Sequence, residues 1–277
     1  VSTSDGSATN GSLLRVTVLG CGGSAGVPLI GGADGGGNWG ACDGSEPRNR
    51  RTRASIIIEH KNQRLLVDTS PDLRAQFLAC RIPGIDAVFY THAHADHITG
   101  IDEIRILNRI AGRPLGAYAT EAVLAELERR FGYAFRPWKP PGFYRPVLEP
   151  HLVAPGETVE IAGMQVRLFL QDHGMTTSLG LRIGSFAYST DVVALDDEAF
   201  AALAGIETWL VGCFQRSAHT THAPLSRVLT WAKQLGVKRT ILTHMGNDMD
   251  WAWMEANLPP GVEAAHDGMV IQVVGGC

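Results

Sequence analysis

Thr91-His92-Ala93-His94-Ala95-Asp96-His97 is the stretch that decides the reading of this chain. Four side chains able to hold a metal fall between His92 and His97, directly after the apolar run Ala87–Tyr90. On a strand, His92 and His94 share one face, and a following loop turns Asp96 and His97 toward a neighbouring point. Imidazole and carboxylate together suit zinc, manganese or iron rather than calcium. Three more polar residues stand at the exits of apolar, strand-like runs: His173 after Gln165–Leu170, Asp191 after Phe186–Ser189, and His244 after Thr240–Thr243. Each alone reads equally well as a loop or capping residue. Together with the first cluster they read as one site at the rim of a sheet.

Outward from these points, the chain alternates strands and helices. Leu13–Leu19 is a strand running into the glycine cluster Gly20–Gly26, and Ser55–Glu59 and Arg64–Asp68 form a hairpin. Helices are expected at Asp72–Cys80, Ile101–Ile110, Glu121–Arg130, Asp197–Leu203, Pro224–Leu235 and Asp250–Asn257. Further strands are expected at Val159–Ile161, Leu179–Ile183, Thr208–Val211 and Met269–Val274. Phe131–Pro150 holds five prolines and six aromatics with no clear period. It reads either as a substrate lid or as a packed excursion. The pattern implies two packed sheets covered by helices. The polar segment 1–12 is expected to be a disordered tail, and 13–277 one domain.

The chain has 277 residues, 45% hydrophobic and 19% charged, with a net charge of −4 and a pI near 6.2. This balance argues against bulk nucleic-acid binding, which needs a basic surplus, but not against a small phosphate ester. Five scattered cysteines form no C-x-x-C pair, which points to a reducing, cytoplasmic setting. No apolar run is long enough to cross a membrane. A homodimer is among the assemblies this composition allows. Gly20-Cys21-Gly22-Gly23-Ser24-Ala25 imitates a dinucleotide fingerprint, but Pro28 and further glycines follow where a helix would be required.

H-x-H-x-D-H followed by separated His, Asp and His resembles the metallo-β-lactamase superfamily, over essentially the whole span Leu13–Val274. The resemblance implies a four-layer αββα sandwich with two divalent metal ions, Zn2+ or Mn2+, at the rim between its sheets. By it, His92, His94 and His173 hold one metal, Asp96, His97 and His244 hold the other, and Asp191 bridges them. Asp68 then matches the family's buried aspartate that orients the histidine loop, though it also reads as a strand-end turn residue. The expected chemistry is hydrolysis, with a hydroxide shared by the two metals as nucleophile, and Asp96 belongs to the catalytic set.

The closer resemblance is to the phosphoribosyl 1,2-cyclic phosphate phosphodiesterases of phosphonate breakdown. It rests on Gly22–Pro28, Arg50-Arg51, Leu242-Thr243-His244, Ala256–Pro259 and Asp267-Gly268-Met269. It implies a small phosphodiester substrate, cyclic phosphoribosyl or nucleotide-like. His222 matches that family's histidine near the metals and precedes a helix, where backbone N–H groups favour an anion. It is the candidate proton donor, or else a surface histidine before the helix; His219 reads as a structural or rim residue. Arg50 and Arg51 are candidate substrate contacts, in a cluster that also reads as a solvated face. One departure concerns the family's structural zinc. Of its ligands this chain keeps only Cys42 after the Gly-Val-Pro stretch, with Asn247 at the histidine position, so no structural zinc is expected. Two other readings stay open: a nuclease like ribonuclease Z, and a non-catalytic metal-binding protein of the same fold.

Overall fold

A computed structural model describes residues 13–274; the tail expected at 1–12 lies outside the described residues. The chain builds two seven-stranded sheets. The first, in spatial order, is β14 (Val270–Val274), β1 (Leu13–Gly20), β2 (Ser55–His60), β3 (Gln63–Val67), β4 (Ala87–Phe89), β5 (Leu115–Ala119) and β6 (Leu148–Leu152). The second is β13 (Val262–Ala264), β12 (Arg239–Thr243), β11 (Thr208–Gly212), β10 (Phe186–Ser189), β9 (Thr177–Ile183), β8 (Met164–Asp172) and β7 (Thr158–Ile161). The last strand returns to the first sheet and pairs antiparallel with β1.

Strand alternation sorts the side chains into layers. Ile56 and Ile58 of β2 and Leu65 and Val67 of β3 join the core shared with the second sheet. Ile57 and Leu66 point the other way, under α1 (Leu73–Cys80), α3 (Ile104–Ala111) and α4 (Glu121–Phe131). On the far side, α5 (Asp197–Leu203) and α6 (Leu225–Leu235) cover the second sheet through Ala199, Leu203, Val228 and Trp231. The result is the αββα sandwich. Shortening a buried side chain such as Ile57 to alanine should cost about 2–5 kcal/mol.

Some expectations change in detail. Histidines 92 and 94 do not lie on a strand: β4 ends at Phe89, His94 caps α2 (Ala95–Ile98), and Asp96 and His97 lie on that helical turn. The segment from Ile101 starts as a 3-10 turn before α3, and Ile110 on that helix is exposed. Strands β5, β6 and β13 were not expected. Their sequences are short or interrupted by Gly116 and Pro150, and β6 tolerates its proline because it is an edge strand.

The parallel runs β3–β6 and β10–β13 place helices between successive strands. In such sheets the loops beyond the carboxyl ends of strands form the ligand crevice. Asp68 follows β3, His92 follows β4, His173 follows β8, Asp191 follows β10 and His244 follows β12.

Candidate metal centre

All seven residues of the expected ligand set meet at this rim. His92, His94, His173 and Asp191 form one group of mutually close donor atoms, and Asp96, His97 and His244 form a second. Asp191 stands between them. Its Oδ1 lies 3.5 Å from His173 Nε2 and 3.9 Å from His92 Nε2. Its Oδ2 lies 3.1 Å from His97 Nε2 and 3.2 Å from His244 Nε2. One carboxylate thus turns one oxygen to each group. Asp96 Oδ2 completes the second, 3.2 Å from His97 Nε2 and 3.6 Å from His244 Nε2. His94 is the one exposed member and marks the open side.

Hydrogen bonds behind the rings fix which nitrogen faces inward. His97 Nδ1 donates to Asp68 Oδ2 at 2.7 Å, and His173 Nδ1 donates to the Thr221 carbonyl at 2.8 Å. His92 Nδ1 donates to Thr91 Oγ1, which donates in turn to Asp68 Oδ2. With those protons on Nδ1, Nε2 of each ring presents a lone pair to the centre. Asp68 is fully buried and also accepts the Thr91 amide at 2.8 Å. It therefore backs two ligand rings from its place at the strand end. Thr91 was not singled out in the sequence, although its place between strand end and first histidine is where a hydroxyl link would sit. Thr190 Oγ1 donates to Asp191 Oδ2, and Ser178 Oγ donates to the Asp191 carbonyl.

The donors fit divalent metal ions on this structure's own terms. His92 Nε2, His97 Nε2 and both ring nitrogens of His244 are buried without a hydrogen-bond partner. Leaving such groups unpaired costs about 1–3 kcal/mol each, and a cation among them would satisfy them. The charge balance agrees. Burial raises Asp191, but the surrounding His244, His97 and His92 outweigh it and hold its carboxyl well below the ordinary range. Burial drives His92 down, helped by His97.

The backbone is strained at three of these positions. Asp68, Asp191 and His244 have φ of 63°, 48° and 52°. The left-handed region is unfavourable for residues with a side chain, though Asp and His tolerate it better than most. The other non-glycine residues with positive φ sit at turns or a helix end: Lys61, Asn62, Arg81 and Ala162.

His222 reaches the centre. Its Nδ1 lies 3.9 Å from Asp191 Oδ1, and its ring packs 4.9 Å from His244 and 4.9 Å from His173. Desolvation and the neighbouring His244 push it down to about 3. It also groups with Asp191 and His244 as a candidate ligand. Phe214, unremarked in the sequence, packs 5.1 Å from both His222 and His219. A Cβ at Gly23 would come within 2.6 Å of the Phe214 ring, so glycine there lets the loop close on the site.

The arginine expectation needs correction. Arg51 is 2% exposed, and its guanidinium donates to the carbonyls of Gly246 and Met249 and to Asn49 Oδ1. All those donors are turned inward, so Arg51 is not a substrate contact. Arg50 is exposed and lies over the Trp39 ring, 5.0 Å from its centroid. Arg51 Nη1 is 3.9 Å from Cys42 Sγ, which puts a fixed positive charge where a metal near Cys42 would sit. In the aromatic excursion, Phe131, Tyr133 and Phe135 pack on the outer core, Tyr133 Oη donates to Asp102, and Trp138 stacks on Phe143.

Comparison with known proteins agrees with this geometry. The family model of the Beta-lactamase superfamily domain matches residues 63–245. A crystal structure described as a new diphosphatase from the PhnP family superposes with a TM-score of 0.85 at 34% identity, covering 96% of this chain and 99% of that one. Zn2+-bound PqqB from Methylobacterium extorquens shares the fold, with a TM-score of 0.71 at 20% identity over 93% of this chain and 99% of that one. Ribonuclease Z of Mycobacterium sp. (strain KMS) is 26% identical over 80% of this chain and 90% of its own length. An octanoyltransferase of Porphyromonas gingivalis is 31% identical over 92% of this chain and 51% of its own length. The chain thus spans about half of that relative. No helix among the described residues is long and apolar enough to cross a membrane.

Proposed function

The chain belongs to the β-lactamase superfamily, as a metallo-β-lactamase-fold hydrolase, and from that premise we propose that it is a two-metal phosphohydrolase cleaving a small phosphodiester. The observation that carries the reading is Asp191, whose two oxygens face two separate sets of histidine nitrogens. In it His92, His94 and His173 would hold one metal and Asp96, His97 and His244 the other, with Asp191 shared between them. Two divalent ions there, zinc or manganese, would supply Lewis acidity and a water of lowered pKa at neutral pH.

The chain's own residues do the rest. Asp68 keeps the protons of His97 and, through Thr91, His92 on the outer nitrogens. Asp191, whose carboxyl the surrounding His244, His97 and His92 hold well below the ordinary range, would balance part of the cationic charge. Phe214, on which the Gly23 backbone closes, walls one flank of the centre beside His244. His222 turns Nδ1 toward the centre, and a proton on that atom goes to the departing oxygen. Desolvation and His244 disfavour the protonated ring in the free protein, and the negative charge of a bound phosphate favours it.

A phosphodiester is favoured over a long RNA because the net charge of −4 offers no broad electrostatic hold. The diphosphatase described for the 34% identical neighbour breaks a related P–O bond, which supports phosphoryl chemistry. The test is an activity panel on metal-reconstituted protein, with zinc and manganese side by side. Among cyclic nucleotides, a cyclic phosphoribosyl ester and bis-p-nitrophenyl phosphate at least one should be turned over; turnover of a nucleoside diphosphate alone would replace the phosphodiester by a phosphoanhydride. Turnover of a tRNA precursor alone would replace this reading with a nuclease, and no turnover with both metals bound would leave a metal-binding protein.

A further inference from the structure

We infer that Arg51 is the positioning residue for His244, an internal cation that locks the loop after that ligand and so sets how tightly the Asp96, His97 and His244 position holds its metal. The inference rests on the two-metal reading and extends it to a residue outside the ligand set.

Arg51 ranks among the largest fully buried side chains of the described residues. A buried cation is costly unless paired and hydrogen-bonded. Among the described residues no carboxylate pairs with it directly. Its acceptors are the Gly246 carbonyl (3.1 Å from Nη1), the Met249 carbonyl (2.6 Å from Nη2) and Asn49 Oδ1 (3.0 Å from Nη2). Nε has no partner. The charge is thus directed onto the loop that begins two residues after His244.

The backbone of Arg51 holds the other side. Its amide and carbonyl exchange hydrogen bonds of 2.9 Å with Val27. The same glycine segment clamps the residue after His244: the Met245 amide donates to the Cys21 carbonyl, and the Gly23 amide donates to the Met245 carbonyl. His244 sits between these anchors with φ of 52° and no hydrogen bond to either ring nitrogen. No hydrogen bond holds its ring from behind, unlike His92, His97 and His173; the ring packs against His97, His222 and Phe214. Its position is therefore set through its backbone, and Arg51 ties together the two segments that hold that backbone. Asn49 extends the tie, accepting from the Trp251 amide and donating to Asp250. A planar fork reaches two diverging carbonyls at once, which a lysine ammonium on its flexible stem does not.

The test compares wild type, Arg51→Met and Arg51→Lys by zinc titration against a competing chelator, with hydrogen exchange of the amides at 245–249 in parallel. One zinc equivalent should bind as in wild type and the other about 10–100-fold more weakly, the usual effect of losing a group that orients a ligand. Exchange at 245–249 should speed up in both variants. Unchanged affinity for both equivalents, or equal weakening of both in a folded variant, would overturn the assignment. If Arg51→Met does not fold, Arg51→Lys, which keeps the charge and loses the fork, decides on the same criteria. Wild-type protein that binds two metals without hydrolysing any ester would defeat the proposed function and leave Arg51 standing. Wild type that binds fewer than two would also defeat that function, and unchanged exchange in the variants would then overturn the Arg51 inference by itself.

Discussion

Replacing His222 by alanine should lower kcat strongly on substrates with poor leaving groups while both metals stay bound. The ring stands 3.9 Å from Asp191 Oδ1 at the edge of the centre, and no hydrogen bond within the described residues engages it. Its loss leaves the inner nitrogens of the other histidines and their outer hydrogen bonds untouched. A positioned general acid is worth ~10²–10⁴-fold, or about 2.7–5.4 kcal/mol at 1.36 kcal/mol per tenfold. An alkoxide departing from a ribose ester needs that proton. A p-nitrophenolate leaves as a stable anion and does not, so on bis-p-nitrophenyl phosphate the loss should shrink to roughly tenfold or less, below the general-acid range. The assay is kcat on a cyclic nucleotide and on the nitrophenyl ester, with metal content measured on the same samples. His94→Ala is the control: it should lose metal and activity on both substrates. Equal losses on the two esters for His222→Ala would refute proton donation. Loss of metal in that variant would instead make His222 a ligand, in keeping with its grouping with Asp191 and His244.

Reconstituted protein should carry close to two metals per chain by elemental analysis, and Cys42→Ser should leave that number unchanged, because Arg51 already places a cation beside Cys42. Asp68→Asn should fold but bind metal about 10–100-fold more weakly, since an amide cannot accept from both the His97 ring and the Thr91 amide and hydroxyl as the carboxylate does; a chelator titration reads this. Metal-free protein should lose stability on the alkaline side. Burial lowers His97, but Asp191, Asp96 and Asp68 outweigh it and raise the ring well above its ordinary value, and His244 is raised as well. A raised pKa gives stability that is full below the unfolded value of about 6.5 and is lost as pH climbs through the folded value. Melting temperatures with chelator should therefore fall from neutral pH upward, and metal-loaded protein should not show that fall, because there the ion replaces the proton.

Much of this centre was legible in the sequence because its signals are local. Four donors crowd into His92–His97, and His173, Asp191 and His244 each close an apolar strand, so residue type and spacing suffice. The layers were legible for the same reason, since Ile56, Ile57 and Ile58 can only alternate between two cores. Arg51 was misread because its fate depends on contacts about two hundred residues away. A run containing Arg48, Arg50, Arg51 and Arg53 resembles a solvated face until the segment around Cys42 docks on the loop after His244. That docking shows in the Ala41 amide bonded to the Asn247 carbonyl and in Gly40, where a Cβ would meet Asn247 at 2.5 Å. The short strands β5, β6 and β13 were missed because pairing with neighbours, not their own periodicity, makes them strands.

Positive φ is the feature of the site that no pattern of residue types displays. Asp68, Asp191 and His244 each leave a strand by a left-handed turn, and such conformations cost of order 1–3 kcal/mol each. A strand continuing in the extended form would send its next side chain above or below the sheet, into one of the two cores. The left-handed residue instead turns the side chain along the rim, which is how Asp191 from the second sheet reaches histidines carried by the first. Strain and unpaired nitrogens therefore occur at the same place for one reason. The fold brings seven donors to a point where, without a cation, several are neither solvated nor hydrogen-bonded. Residues from both sheets converge on Asp191, so an ion bound there would link the two halves of the sandwich. Its binding energy would offset the local cost of the backbone that creates the site.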